Sequence, residues 1–302
     1  MRSILMLLIA VFAVTTCSSQ IAGSGSKNKN KKIVLIPGHD SHGLGEHEHL
    51  GGCILLAKLL NENVAGVTAV VTEQGWPKDT TILNDADAIV MYSDGGEGHM
   101  AIPHLRHLDR LMNKGTGLLN LHYAVEVPKG VAGNYFKKWV GGYFETYWSV
   151  NPFWTARYDS LPKHPVTNGV KPFETSDEWY YHMRFVANDK NLIPILQALP
   201  PASSLDREEG SHENNKYVRQ AVLQKKEVQV MAWAYTRPNG GRGFGLTGAH
   251  VHDNWMNDDF RKLVLNAIIW TAKISVPPNG VNSPTPTKPA LDALRKDTSN
   301  PK

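Results

Sequence analysis

Apolar residues run consecutively along this chain in short blocks, each ended by a turn residue. "KIVLIP" (32–37), "VTAVVT" (67–72), "DAIVMY" (87–92) and "GLLNL" (117–121) are apolar at successive positions, so each predicts a strand covered on both faces. Between them, residues 50–63 and "HLRHLDRLMNKG" (104–115, closed by Gly115) carry apolar positions at helical spacing. Near the end, "GRGFGL" predicts a further strand, and "NDDFRKLVLNAIIWTAK" predicts a helix with aspartates at its positive N-terminal end. Strands alternating with helices predict an α/β class and a mostly parallel sheet with helices on both faces. From 141 to about 235 the pattern loosens into aromatic-rich stretches in which "EWYYHMRF" and "VQVMAWAY" are the expected strands. This reads as an elaboration of the same domain. Beyond Pro277, "PPNGVNSPTPTKP" predicts a Pro-rich tail over 275–302 that packs no core.

Composition narrows the class. The chain has 302 residues, 41% of them hydrophobic and 20% charged, which suits a globular protein with a buried core. The formal charge of +4 comes partly from "KNKNKK" (27–32) and the lysines of the tail, so no basic face and no nucleic-acid partner is expected. Arg2 ahead of an apolar run from Ile4 to Val14, too short to span a bilayer, predicts an export signal over 1–17, followed by a polar spacer over 18–31. "VTTCSS" is similar to a lipoprotein cleavage box, which would place a lipid on Cys17. Ordinary signal cleavage and a soluble periplasmic protein form the alternative. The expected address is therefore periplasmic or membrane-anchored through Cys17 alone. With Cys17 and Cys53 the only cysteines, a disulfide framework is excluded, and Cys53 on an amphipathic helix reads as a small buried hydrophobe.

The polar clusters all follow predicted strands. In parallel sheets the loops at the strands' carboxyl ends line the ligand crevice. There "GHDSHGLGEHEH" offers His42 and His47, "SDGGEGHM" offers Asp94, Gly95 and Gly96, and "HYAVEV" offers His122, Tyr123 and Glu126. His122 falls on the sharp strand-to-helix turn where α/β enzymes often present a nucleophile. A histidine there suits proton transfer or ligand binding better than acyl transfer. Glycines 95 and 96 allow backbone N–H groups to approach a ligand oxygen. His250 and His252 form a second imidazole group, and Glu178, set among aromatics in "DEWYY", would have its carboxyl pKa raised toward acid or base work. The two histidine groups could supply a divalent metal such as zinc, although their spacing matches no compact zinc motif and solvated loop histidines are the plainer reading. The aromatics of "YFETYWSVNPFWTARY", Trp148 among them, could stack on sugar C–H faces, with a core role as the plainer reading.

Five segments, "SHGLGEHEHLGG", "ADAIVMYSDGG", "GTGLLNLHYAVEVPKG", "HPVTNGVKPFETSDEWYY" and "GRGFGLTGAHVHDNW", taken together resemble the trehalose-utilisation (ThuA-like) family, over about residues 32–274. The resemblance implies a doubly wound, flavodoxin-like sheet of the class I glutamine amidotransferase type. It places His122 where amidotransferases carry their cysteine, Gly95 and Gly96 at the oxyanion loop, and His250 at the catalytic histidine. No cysteine stands at the elbow and Val251-His252 replaces a His-x-Glu arrangement, so glutaminase chemistry does not carry over. The matches "HPVTNG" and "DEWYY" add His164 and Glu178 as site residues. The family link implies chemistry on disaccharides oxidised at a ring hydroxyl.

The leading expectation is therefore an exported enzyme acting on a glycoside or keto-sugar, with His122 or Glu178 as base and His250 as acid or as polariser of the carbonyl. A carbohydrate-binding or partner-binding protein on an enzyme-like fold is the second reading, and a metal-dependent hydrolase the third.

Overall fold

The structure, a computed structural model, describes residues 30–296. The expected export signal, Cys17, nearly all of the spacer and the last six residues lie outside the described residues. Eleven strands occur among the described residues: β1 (Lys31–Pro37), β2 (Val67–Val71), β3 (Ala88–Tyr92), β4 (Gly117–Leu121), β5 (Gly142–Tyr143), β6 (Phe153–Tyr158), β7 (Phe173–Glu178), β8 (Arg184–Phe185), β9 (Leu192–Ala198), β10 (Gln229–Thr236) and β11 (Arg242–Leu246). The α-helices are α1 (His49–Asn63), α2 (Leu105–Asn113), α3 (Val131–Val140), α4 (Lys216–Arg219), α5 (Asp258–Thr271) and α6 (Lys288–Asp292).

Seven strands form the central sheet in the order β2-β1-β3-β4-β11-β10-β9, parallel from β2 to β11 and antiparallel over the last two. The fold is thus α/β with a mostly parallel sheet, and the consecutive apolar runs are explained by alternation. Ile33 and Leu35 of β1 pack in a cluster with Leu56 and Leu60 of α1 and Leu263 and Ile268 of α5. Val34 and Ile36 point to the opposite face, into Leu108 of α2 and Phe136 and Trp139 of α3. Every position of β3 and β4, and 33–37 of β1, is buried because both faces are covered. Helix α5 starts where its sequence says it should: the Asn257 side chain accepts from the N–H groups of Asp259 and Phe260. Cys53 is fully buried, and burial pushes its thiol pKa up, so it behaves as a hydrophobe.

The chain runs from β1 outward to β2 and returns on the other side to β3, so the switch point lies between β1 and β3. Loops 38–48 and 93–99 leave the sheet there, and the loops after β4 and β11 lie beside them.

Two expectations are corrected. "EWYYHMRF" is not one strand: β7 ends at Glu178, and Trp179, Tyr180 and Tyr181 are all buried in succession, which an alternating strand cannot achieve with one face open. The Pro-rich segment after 277 does pack, as far as residue 296. Val281 and Leu291 are buried and the Val281 N–H donates to Asn266 Oδ1. Helix α6 then leads a strap across the switch-point loops. Its Lys296 N–H donates to Glu48 Oε2, and Lys296 Nζ donates to the carbonyls of Ser41 (2.6 Å) and Glu46 (2.9 Å). Two leucines spaced among prolines give no periodic signal, yet each finds an apolar slot. Among the described residues no helix is long and apolar enough to cross a membrane.

Candidate functional site

Four side chains from four loops meet at one point over the switch. His122 is the first residue after β4 and sits in the left-handed region at φ 54°, a strained elbow for a residue with a Cβ. Its ring is fully buried. From His122 Nε2, His47 Nε2 is 3.0 Å away, Tyr180 Oη 3.2 Å, His250 Nδ1 3.3 Å and Glu178 Oε2 3.5 Å. His250 Nδ1 is in turn 3.4 Å from Glu178 Oε2. His47 also lies at positive φ (46°), and its loop is paired to the one carrying His250: His47 N–H donates to the His250 carbonyl and His252 N–H to that of Gly45.

The outer nitrogens settle the tautomers. His122 Nδ1 donates to the Thr247 carbonyl at 2.8 Å, an atom that only accepts, so Nε2 is left with a lone pair. His47 Nδ1 lies 2.7 Å from Asp94 Oδ1, and Asp94 stays ionised because the His47 and Ser41 hydrogen bonds outweigh its burial. His47 Nε2 therefore also presents a lone pair. His250 Nε2 is 3.7 Å from Glu46 Oε1, which leaves its Nδ1 to face the cluster. Two imidazole lone pairs 3.0 Å apart repel unless something positive joins them. A proton suits poorly: burial, then the neighbouring imidazoles, hold the His122 pKa well below its ordinary value, and burial lowers that of His47 as well. His250 differs, raised above its ordinary value because the Glu178 carboxylate outweighs burial.

A divalent ion fits this geometry. Bonds of about 2.0–2.1 Å in tetrahedral geometry put ligand atoms about 3.3 Å apart. Four of the six donor separations run from 3.0 to 3.5 Å, and all four ligand atoms lie within 4.8 Å of one another. Two of the imidazoles also have the outer acceptor that metal-bound histidines use to orient the ring: Asp94 behind His47 and the Thr247 carbonyl behind His122. His47, His122 and His250 could thus hold zinc or a similar ion, with the Glu178 carboxylate beside them.

The cluster opens onto a cavity of about 340 Å³ lined by His47, Tyr123, Asn151, Glu178, Tyr180 and His212 among others. A larger depression of about 700 Å³ near Trp154 and Arg157 gathers no such donor set. Burial raises the hydroxyl pKa of Tyr180 well above the usual value and that of Tyr123 to about 12, so both remain O–H donors.

Of the residues singled out from sequence, His42, His47, Asp94, His122, Tyr123, Glu126, Glu178 and His250 are brought to this cluster or its cavity. His42 stands at the rim, its ring centroid 3.7 Å from that of His47. Three residues are placed elsewhere. Trp148 is packed between His182 and Tyr217 under the Arg184 guanidinium, so its faces are not free for a sugar. His164 caps the turn Pro165–Thr167, accepting from Val166 N–H, and abuts Trp270. His252 is buried with Nε2 donating to the Leu291 carbonyl of the strap. The oxyanion reading of the glycine pair is also corrected at Gly96, whose N–H already donates to the Glu126 carbonyl at 3.0 Å. Gly95 serves close approach instead: a Cβ there would meet the Tyr123 carbonyl at 2.2 Å.

Sequence reading missed Tyr180, Asn151, His212 and Asp177. Asp177 is fully buried, and its carboxylate accepts from the N–H groups of Ala249 and His250, which locks the His250 loop against β7. Tyr180 sits inside "DEWYY" and could have been picked with Glu178. His212, a lone histidine in a polar stretch, carries no signal.

A doubly wound α/β fold with a histidine–carboxylate centre at its switch point defines the class. The chain belongs to the ThuA family, described as trehalose utilisation, whose model matches residues 34–271. No curated protein matches it. Among solved structures it is similar to a ThuA-like protein from Bacteroides uniformis, at 16% identity and TM-score 0.56, covering 83% of this chain and 94% of that one. A ThuA-like protein from Parabacteroides merdae is similar at 14% identity and TM-score 0.52, covering 85% and 94%. At these identities the likeness speaks to the fold.

Proposed function

We propose that this chain is an exported enzyme that acts on an oxidised glycoside, with His47, His122 and His250 holding a divalent metal and Glu178 moving the proton. The observation that carries the reading is the convergence of three imidazole nitrogens and one carboxylate oxygen, all within 4.8 Å of one another, on the wall of a polar cavity. The family's description, trehalose utilisation, supports a disaccharide as the substrate class. A metal at the three imidazoles would supply Lewis acidity toward the sugar's oxygens.

The chain's own groups do the rest. A carbonyl at C3 of a sugar acidifies the C2 hydrogen. Glu178 is the most exposed of the four donors, and its Oε1 is steadied by Asn151 Nδ2 at 3.2 Å, so Oε2 takes that proton. Tyr180 Oη–H donates to the oxygen on which charge develops. The C2 electron pair forms the C1–C2 double bond and the glycosidic oxygen leaves with the pair that bound it to C1. His122, fully buried with four neighbours on Nε2, holds rather than exchanges protons here.

Metal-loaded protein is expected to release glucose from 3-keto-trehalose. Glu178→Gln should keep the metal yet lose about 100-fold or more in kcat. An inert wild type, or a fully active Glu178→Gln variant, would overturn the reading. Because Lys296 Nζ ties the Ser41 and Glu46 carbonyls of the loop that carries His42 and His47, Lys296→Ala is expected to weaken zinc affinity about 10-fold, by analogy with outer-shell changes. Competition titration against a chromogenic chelator measures it.

A further inference from the structure

Outside the four donors, a further titratable pair stands at the same cavity, His212 lining it and Glu126 behind His212. Glu126 ends the turn that follows His122, and its side chain is buried; His212 comes from the distant loop after the 3₁₀ turn 202–205. His212 Nε2 lies 2.9 Å from Glu126 Oε1, while Glu126 Oε2 is buried without a partner. The loop is pinned on both sides of the imidazole: Tyr147 N–H donates to the Ser211 carbonyl and Asn151 N–H to that of His212. The ring stacks on Phe144, with centroids 5.3 Å apart and planes 23° from parallel. A carboxylate behind an imidazole fixes which nitrogen works. Nε2–H is held by Glu126, so Nδ1, 2.8 Å from Ser211 Oγ, is the atom left to exchange a proton. This is the orienting arrangement of a catalytic carboxylate–histidine pair, and Glu178 lines the same cavity.

We propose that the Glu126–His212 dyad is the acid of this site, giving the proton on His212 Nδ1 to the glycosidic oxygen as it leaves, while Glu178 takes the proton from carbon. The inference rests on the function proposed above. The step balances: the C1–O bond breaks with its electron pair going to oxygen, that oxygen binds the proton from Nδ1, and the neutral imidazole is recharged from solvent. The charged groups around His212 favour the acid form. Glu126, Glu178 and Glu213 are carboxylates, and Arg207 is already paired with Glu213. The Glu126 hydrogen bond, against burial, accordingly raises the His212 pKa. A raised pKa on the imidazole suits it to act as the acid.

Two measurements test it. Nuclear magnetic resonance of the histidine rings in the zinc-loaded protein should show His212 titrating above its ordinary value, and Glu126→Gln should lower that midpoint by about one unit. An unmoved midpoint overturns the dyad without any appeal to turnover. Second, His212→Gln should cut kcat on 3-keto-trehalose far more than on 4-nitrophenyl 3-keto-α-glucoside, whose phenolate leaves unprotonated. The ratio of the two activities should shift about 100-fold. With wild type active, equal losses on both substrates overturn the proposal alone. Wild type inert toward both defeats the substrate reading and this proposal with it. Unchanged zinc content and thermal midpoint in both variants show that the fold is kept.

Discussion

Alanine at position 122 is expected to cut the affinity for zinc or cobalt(II) by more than the roughly 10–100-fold typical of changing an outer-shell partner. His122 Nε2 is the hub of the cluster, within 3.5 Å of His47, His250 and Glu178. Its loss removes one of three imidazoles and leaves the other two with no shared centre. Asp94→Asn, which alters only the acceptor behind His47, should fall within about 10–100-fold. Cobalt(II) absorbance reads both the binding and its tetrahedral geometry. Wild-type protein should gain stability with metal: at free metal about 1,000-fold above Kd the gain is about 4 kcal/mol, which for a domain of this size raises Tm by about 10 °C. His122→Ala should show no such rise. A variant that still binds cobalt tightly in tetrahedral form would end the metal assignment.

The second large effect is acid lability. His49 and His99 are buried and neutral, and burial pulls each imidazole down to about 4. Charging is unfavourable at each: the added proton on His49 goes to Nε2, which is buried with no partner, and on His99 to Nδ1, which accepts from Ala101 N–H. An unfolded imidazole binds a proton near 6.5, so between about 6.5 and 4 the unfolded chain holds more protons than the folded one. Stability is therefore full above pH 6.5 and falls as pH drops toward 4. Each site contributes about 2–3 kcal/mol of loss by pH 4.5, and the two together approach the whole stability of an ordinary domain. Urea unfolding of metal-free protein at pH 7 and 4.5 measures the loss, and His99→Gln should remove roughly half of it. Equal stability at the two pH values would contradict the burial assignments.

Much of the fold was legible because burial on both faces writes itself into consecutive apolar residues. Strands β1 to β4, β10 and β11 and helices α1, α2 and α5 follow from such runs, and the switch point between β1 and β3 follows from their order. Helix α3 and the C-terminal strap did not, since Val131–Val140 mixes glycine with lysines and the strap's leucines stand among prolines.

The candidate site divides in the same way. Residue type and strand-end position were enough to bring forward His47, Asp94, His122 and His250, because loops at the carboxyl ends of parallel strands must meet, while Glu178 stood out by its aromatic neighbours in "DEWYY". Which of the histidines turn inward was decided by contacts between segments far apart in the chain. Thr247 O and Asp94 orient His122 and His47, Asp177 locks His250, and the same kind of packing turns His164 and His252 to structural duties. The one-dimensional chain thus determined the sheet, its layers and the pool of polar residues at one rim. Only the tertiary structure decided the direction of each lone pair, since a direction depends on partners 47 to 128 residues away that no local pattern records.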